Sequence, residues 1–190
     1  PCGAEVTWDC LADAADQDAT DLGGSPQLRT FRLGHVTPPT SAGLATLEAL
    51  AGTIPERDEA PVLDDVTSQP YAGLLDRIEP GDVFTGTTGN AIDQFVTRSG
   101  AASVFVGPEA ALAPKAEDRK MAVKPISPTI DLVAQVAPLA GNDAPDQGAA
   151  DDFADQLGAR LTEAGWNDPS DATAGSPGLE AALLGVWADR

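Results

Sequence analysis

Histidine occurs once in this sequence, at position 35, and cysteine only twice, at positions 2 and 10; that scarcity removes most catalytic constellations before any fold is considered. No Ser-His-Asp or Cys-His set can be assembled, because no serine stands in a nucleophile-elbow context and His35 has no cysteine or Ser-rich motif to serve. His35 reads as a turn residue rather than a base. With no CxxC and no second cysteine pair, four zinc ligands cannot be gathered either. The abundant carboxylates could supply an acid–base pair anywhere, so none can be named. No catalytic residue, metal site or cofactor is therefore expected, and the chain reads as non-enzymatic.

Cations are also few. Eleven Lys and Arg face thirty Asp and Glu, a net charge of −19 that would repel a phosphate backbone or an anionic membrane surface and that excludes nucleic acid as a partner. Such acidity fits an exported or a salt-adapted protein. The three lysines, Lys115, Lys120 and Lys124, fall in one short stretch that reads as a solvated connection rather than a binding patch. No run approaches the ~20 apolar residues that cross a bilayer. The sequence opens on Pro1 with no initiator Met and no signal peptide, and so reads as processed or truncated.

What is present starts with the cysteines. In "PCGAEVTWDC" Val6 and Trp8 stand on alternate positions between Cys2 and Cys10, and a local disulfide is the expected use of the pair. Closing so short a loop contributes about 2–3 kcal/mol on chain-entropy grounds. It also places the protein in an oxidising compartment outside the cytoplasmic membrane, either secreted or attached to the cell envelope.

Further along, "FRLGHVTPPTSAGLATLEALAG" passes from strand to helix. Phe31 and Leu33 alternate with Arg32 and Gly34, Pro38 and Pro39 fix φ and bar a helix before them, and Thr40 or Ser41 offers an oxygen to the first free N–H groups. The helix starts near Ala42, with Leu44, Leu47 and Ala51 on its apolar face, and Gly52 ends it. Ser41 as N-cap is the structural reading. Free N–H groups at the positive end of a helix dipole equally suit an anionic or polar ligand.

The remaining pattern alternates helix and strand without repeats, which favours a layered α/β fold, and 190 residues allow one large domain or two small lobes. Helices are expected in "TWDCLADAADQ", in "TSQPYAGLLDRIE" through Tyr71, Leu74, Leu75 and Ile78, and after "TGTTGN" with Ile92, Phe95 and Val96 inward. "ASVFVGPEAALA" reads as a strand over Val104–Val106, a turn and another helix start, and "KMAVKPISPTIDLVAQVAPLA" as two proline-broken strands. An amphipathic helix follows through Phe153, Leu157 and Leu161, then a last one with Ser176 and Pro177 as cap and first turn. "TGTTGN", Thr85–Asn90, could cradle a phosphate but lacks the P-loop lysine, so it is loop chemistry first and ligand contact second.

Taken in order, "CGAEVTWDCLADAA", "LGGSPQLRTFRLGHVTPPTSAGLATLEALAG", "VFVGPEAAL", "VKPISPTIDLVAQVAPL", "LTEAGW" and "SPGLEAALLGVW" resemble the second part of the actinobacterial extracellular solute-binding proteins, which have the type 2 periplasmic-binding fold. The resemblance implies two α/β lobes joined by a hinge and a small polar or anionic solute held in the cleft between them. It further implies service to a membrane transporter or sensor. In that family a P-x-x-S-x-G-L turn begins a second-lobe helix whose N-terminus faces the cleft. The matching residues are Pro38, Ser41, Gly43 and Leu44, flanked by Thr40 and Ala42. Thr40, Ser41, Ala42 and Gly43 thus become the expected ligand contacts, with Thr87 and Thr88 as second contacts.

The same resemblance divides the chain into a disulfide-bearing lead-in over 1–33, a second-lobe α/β domain over 34–120, and a crossover with partial first-lobe strands and helices over 121–190. No first-lobe half with its own ligand turn precedes Cys2, so the chain reads as lacking the N-terminal half of lobe one, or as a fragment whose partner half lies elsewhere. The alternative is a non-catalytic interaction or structural module of the cell envelope that keeps the fold without a ligand. Such a module would carry a large apolar patch where its partner docks.

Overall fold

Thr7 turns a strand into a helix with no residue between. Its backbone is extended (φ −116°, ψ 160°) and its hydroxyl accepts the Cys10 N–H at 3.1 Å, so strand β1 (Val6–Thr7) runs straight into helix α1 (Trp8–Ala14). The expected disulfide is present: Cys2 and Cys10, with Cα atoms 5.4 Å apart, fasten the leading residues to the first turn of α1. Trp8, Leu11, Ala12 and Ala14 of that helix are buried. The computed structural model describes residues 2, 5–15, 17–54, 61–78, 84–98, 101–127, 147–164 and 177–189. They form a mixed α/β chain in which helices predominate and the strands, all short, pair in parallel.

Strand β2 (Leu33–His35) lies at the centre of the larger arrangement. It pairs in parallel with β3 (Val104–Val106), Leu33 opposite Val104 and His35 opposite Val106. The Arg32 carbonyl faces β3, accepting the Ser103 N–H at 2.8 Å, whereas the His35 carbonyl accepts the Phe84 N–H at 3.2 Å and the Thr37 N–H reaches the Phe84 carbonyl at 3.0 Å. Backbone groups three residues apart on an extended strand face opposite edges, so the order across the sheet is Phe84, β2, β3.

All three β2 residues are buried, as in a strand covered on both faces. Gly34 is obligatory there: a Cβ would lie 2.7 Å from the Phe84 ring and 2.9 Å from the Ala102 methyl. A second parallel pair joins β1 to β4 (Ile126–Ser127), Val6 opposite Ile126.

Helices α2 (Ser41–Ala51), α4 (Gln69–Ile78), α5 (Thr88–Thr97) and α6 (Glu109–Arg119) follow the expected order, and a short helix that was not expected, α3 (Leu63–Val66), precedes α4. In α4 the periodic residues Tyr71, Leu74, Leu75 and Ile78 are all buried, and the Tyr71 hydroxyl donates to the Leu47 carbonyl at 3.1 Å, tying α4 to α2. Helix α8 (Pro177–Ala188) packs on α2 and α3 and brings Leu183 into one core cluster with Leu47, Leu50, Val66 and Leu75. Each such side chain, fully buried, adds about 1.5–3 kcal/mol.

The chain divides into two compact units. One comprises 1–130 with 175–190 and holds every element named so far; the other, 131–174, contains α7 (Gln147–Glu163). On α7 Leu157 and Leu161 are half-buried and Phe153 is 58 % exposed, because helical spacing places apolar residues on one face without supplying a surface for that face to cover. The second proline-broken strand expected after Ser127 and the cap expected at Ser176 lie outside the described residues.

Candidate functional site

The ends of two parallel strands, and one residue bridged in parallel beside them, each run into a helix N-terminus. Val36 leads through Thr37–Thr40 into α2, Phe84 through Thr85–Thr87 into α5, and Val106 through Gly107 and Pro108 into α6. Because the strands are parallel, all three helix mouths open on one edge of the sheet. The chain passes from β2 to Phe84 on one side and then to β3 on the other. Open α/β sheets take ligands outside the carboxyl ends of their strands, at such a reversal.

The α2 mouth is held by Thr40. Extended at φ −85° and ψ 151°, it accepts the Gly43 N–H on Oγ1 at 3.1 Å and donates the same hydroxyl to the Thr37 carbonyl at 2.8 Å. The N-cap is therefore Thr40 and not Ser41, since only the extended residue just outside the helix aims its oxygen back at the third N–H. Ser41 is the first helical residue and is exposed. Ala42 and Gly43 are buried. A Cβ on Gly43 would collide with the carbonyl oxygens of Thr37 and Val36, so the close return of the chain over this turn requires glycine. Of the four expected contacts on α2, Ser41 alone presents an exposed side chain, and the Gly43 N–H is already taken by Thr40.

At the α5 mouth Thr87 plays the same part, accepting the Asn90 N–H at 3.3 Å, while Thr88 is the first helical residue and half-buried. The Gln94 amide donates to the Thr85 carbonyl at 2.8 Å and pins the loop before it. The α6 mouth has no side-chain cap and carries Glu109 in its first turn. It was legible as the strand-turn-helix run "VFVGPEAAL" but carries no hydroxyl to mark it.

His35 is not a turn residue. It is the last residue of β2, 1 % exposed, with Nδ1 2.9 Å from the Val36 carbonyl oxygen. Its place in a strand covered on both faces explains the burial of a polar ring.

Two carboxyls depart from their ordinary range. Burial, and then the charge of Glu180, push the Glu48 carboxyl up. The Thr20 hydroxyl, at 2.7 Å, and then the Thr20 N–H, at 2.8 Å, hold the Asp18 carboxyl down.

A separate cavity of about 440 Å³ lies among β1, α1, α5, β3, α6 and the 121–126 segment. Leu11, Phe95, Phe105, Leu112 and Ile126 are among the apolar residues that line it, and Ser103, Lys115 and Lys124 are the polar ones. The lysines are all exposed, as expected of a solvated stretch, and Lys120 and Lys124 lie in the connection between α6 and β4; Lys115, on α6, and Lys124 also line the cavity. Sequence reading missed this cavity because its walls come from segments spread between residues 6 and 126.

Among the described residues no group of three or more His, Cys, Asp or Glu could hold a metal ion, and no helix is long and apolar enough to cross a membrane. The chain matches no family model, no characterised protein and no solved structure.

Proposed function

We propose that the chain is an extracytoplasmic solute-binding component of a transport or sensing system, holding a small polar or anionic solute at the strand-end edge. The observation that carries this reading is that the ends of β2 and β3, and Phe84 bridged in parallel beside β2, lead into three helix mouths on one edge. In it Thr40 and Thr87 set the mouths, while Ser41, Thr88 and the first-turn N–H groups of α2 and α5 meet the solute. The dipole ends favour an anion locally, and the distant carboxylates that make up the −19 charge are screened beyond ~8 Å at physiological salt.

The test is calorimetric titration of the full-length gene product with sugars, amino acids and oxyanions. Ser41→Ala is expected to weaken the solute that binds by about 0.5–1.5 kcal/mol, the worth of one neutral hydrogen bond. Binding unchanged by that substitution, or no binding across the panel, would replace this reading with the non-catalytic envelope module.

A further inference from the structure

The cavity among β1, α1, α5, β3 and α6 is lined unlike the rest of the chain. Among the described residues no Asp or Glu lines it, whereas two of the three lysines do, and the third, Lys120, stands four residues before Lys124. The Lys115 ammonium is 2.6 Å from the Asp93 carboxylate, a pair left 45 % and 57 % exposed at the rim. Lys124 is exposed and makes no ion pair or hydrogen bond among the described residues. Behind the ammonium groups the wall is aromatic and aliphatic. The rings of Phe95 and Phe105, with centroids 5.5 Å apart, are half-buried, and Met121 and Val123 at the edge are each 39 % exposed.

We infer that this cavity binds an anionic amphiphile with a single apolar chain. The chain lies against Phe95, Phe105, Leu112 and Ile126, and the carboxylate or phosphate head pairs with Lys124. About 440 Å³ falls within the ~300–1,000 Å³ of small-molecule pockets, whose lining is likewise apolar with a few placed polar groups. A protein partner would instead require roughly 800 Å² of surface on each side. Charge selects the head: Lys115 is already neutralised by Asp93, so a cation would meet the uncompensated Lys124 ammonium, whereas a neutral chain would leave that ammonium without a partner. This site is independent of the strand-end edge and does not rest on the solute-binding reading.

Calorimetric titration with decanoate tests it, set against octanoate, decanol and decyltrimethylammonium. Decanoate is expected to bind one to one, about four-fold tighter for each methylene beyond octanoate, and at least ten-fold tighter than decanol or the cation. Lys124→Gln should abolish the preference for decanoate over decanol while leaving decanol binding unchanged. Ala122→Trp, on the exposed part of the wall, should block both, and thermal melts establish that each variant is folded. Lysophosphatidylglycerol in place of decanoate tells a lipid source from a free acid, and binding of either supports the site. Ser41→Ala should change none of these values, which keeps this outcome distinct from that of the strand-end titration. No binding of any anionic chain to the folded protein would overturn the inference. So would equal binding of the cation, or decanoate affinity unaffected by both Lys124→Gln and Ala122→Trp.

Discussion

Thr40 Oγ1 both accepts the Gly43 N–H and donates to the Thr37 carbonyl, whereas the neighbouring Ser41 hydroxyl is exposed and has neither task, so the two substitutions separate stability from binding. Thr40→Ala should cost about 1–2 kcal/mol in urea unfolding as a lost cap. Ser41→Ala should stay within about 0.5 kcal/mol. Gly43→Ala forces a methyl onto two carbonyl oxygens and should cost about 1–3 kcal/mol or prevent folding, read from the same unfolding curves. Glu48 is the residue through which pH acts. Its carboxyl binds a proton more tightly folded than unfolded, so its contribution is fully present below the unfolded value and is lost as pH rises through the folded one. Burial is the larger cause and Glu180 the smaller. Glu180→Gln should therefore raise stability at pH 7 by only about 0.2–1 kcal/mol, and the decline with rising pH should persist in weakened form, measured by thermal melts between pH 4 and 7.

At the scale of elements, α4 was fully legible because Tyr71, Leu74, Leu75 and Ile78 repeat at helical spacing and one buried face accounts for all four. The start of α2 was legible to within one residue. Thr and Ser carry the same group, and the choice between them is made by the extended dihedrals of Thr40, which no local pattern of hydroxyls records. Strand β2 kept its burial hidden: Phe31 and Leu33 alternating with Arg32 and Gly34 point to one covered face, whereas Leu33, Gly34 and His35 are all buried, and His35 then reads as loop chemistry. The three-mouth edge was only half visible, since the pairing of Val36 with Phe84 is a contact across the sheet that no local pattern records. Helix α1 carries an element-scale prediction. Its first turn is cross-linked to Cys2, and reduction should lower stability by about 2–3 kcal/mol, with the non-reduced protein weighing two hydrogens less than the reduced one.

For the whole molecule the net charge of −19 is the dominant long-range term. Self-repulsion of the compact state weakens as salt shortens the Debye length from ~30 Å at 0.01 M to ~10 Å at 0.1 M, so the melting temperature should rise over that range and then level off. A melting temperature that falls with added sodium chloride would show that specific ion pairs outweigh the general field. The exposed Arg160–Glu163 and Lys115–Asp93 pairs are too weak for that.

The parallel pairings bear on time as well as on stability. Val6 meets Ile126, Leu33 meets Val104, and Leu183 of α8 fills a core begun by Trp8 and Leu11. Partners so far apart in sequence make for high contact order, and each long loop must close, at a cost that grows as (3/2)RT ln n, before its contact gives anything back. On a ribosome adding roughly 5–20 residues per second, the apolar faces of α1 and α2 would stay incompletely covered for about 7–35 seconds until Leu183 emerged. Refolding from urea should accordingly run in the slow, millisecond-to-second range. Leu183→Ala, which removes a fully buried side chain that arrives late, should speed unfolding far more than it slows folding.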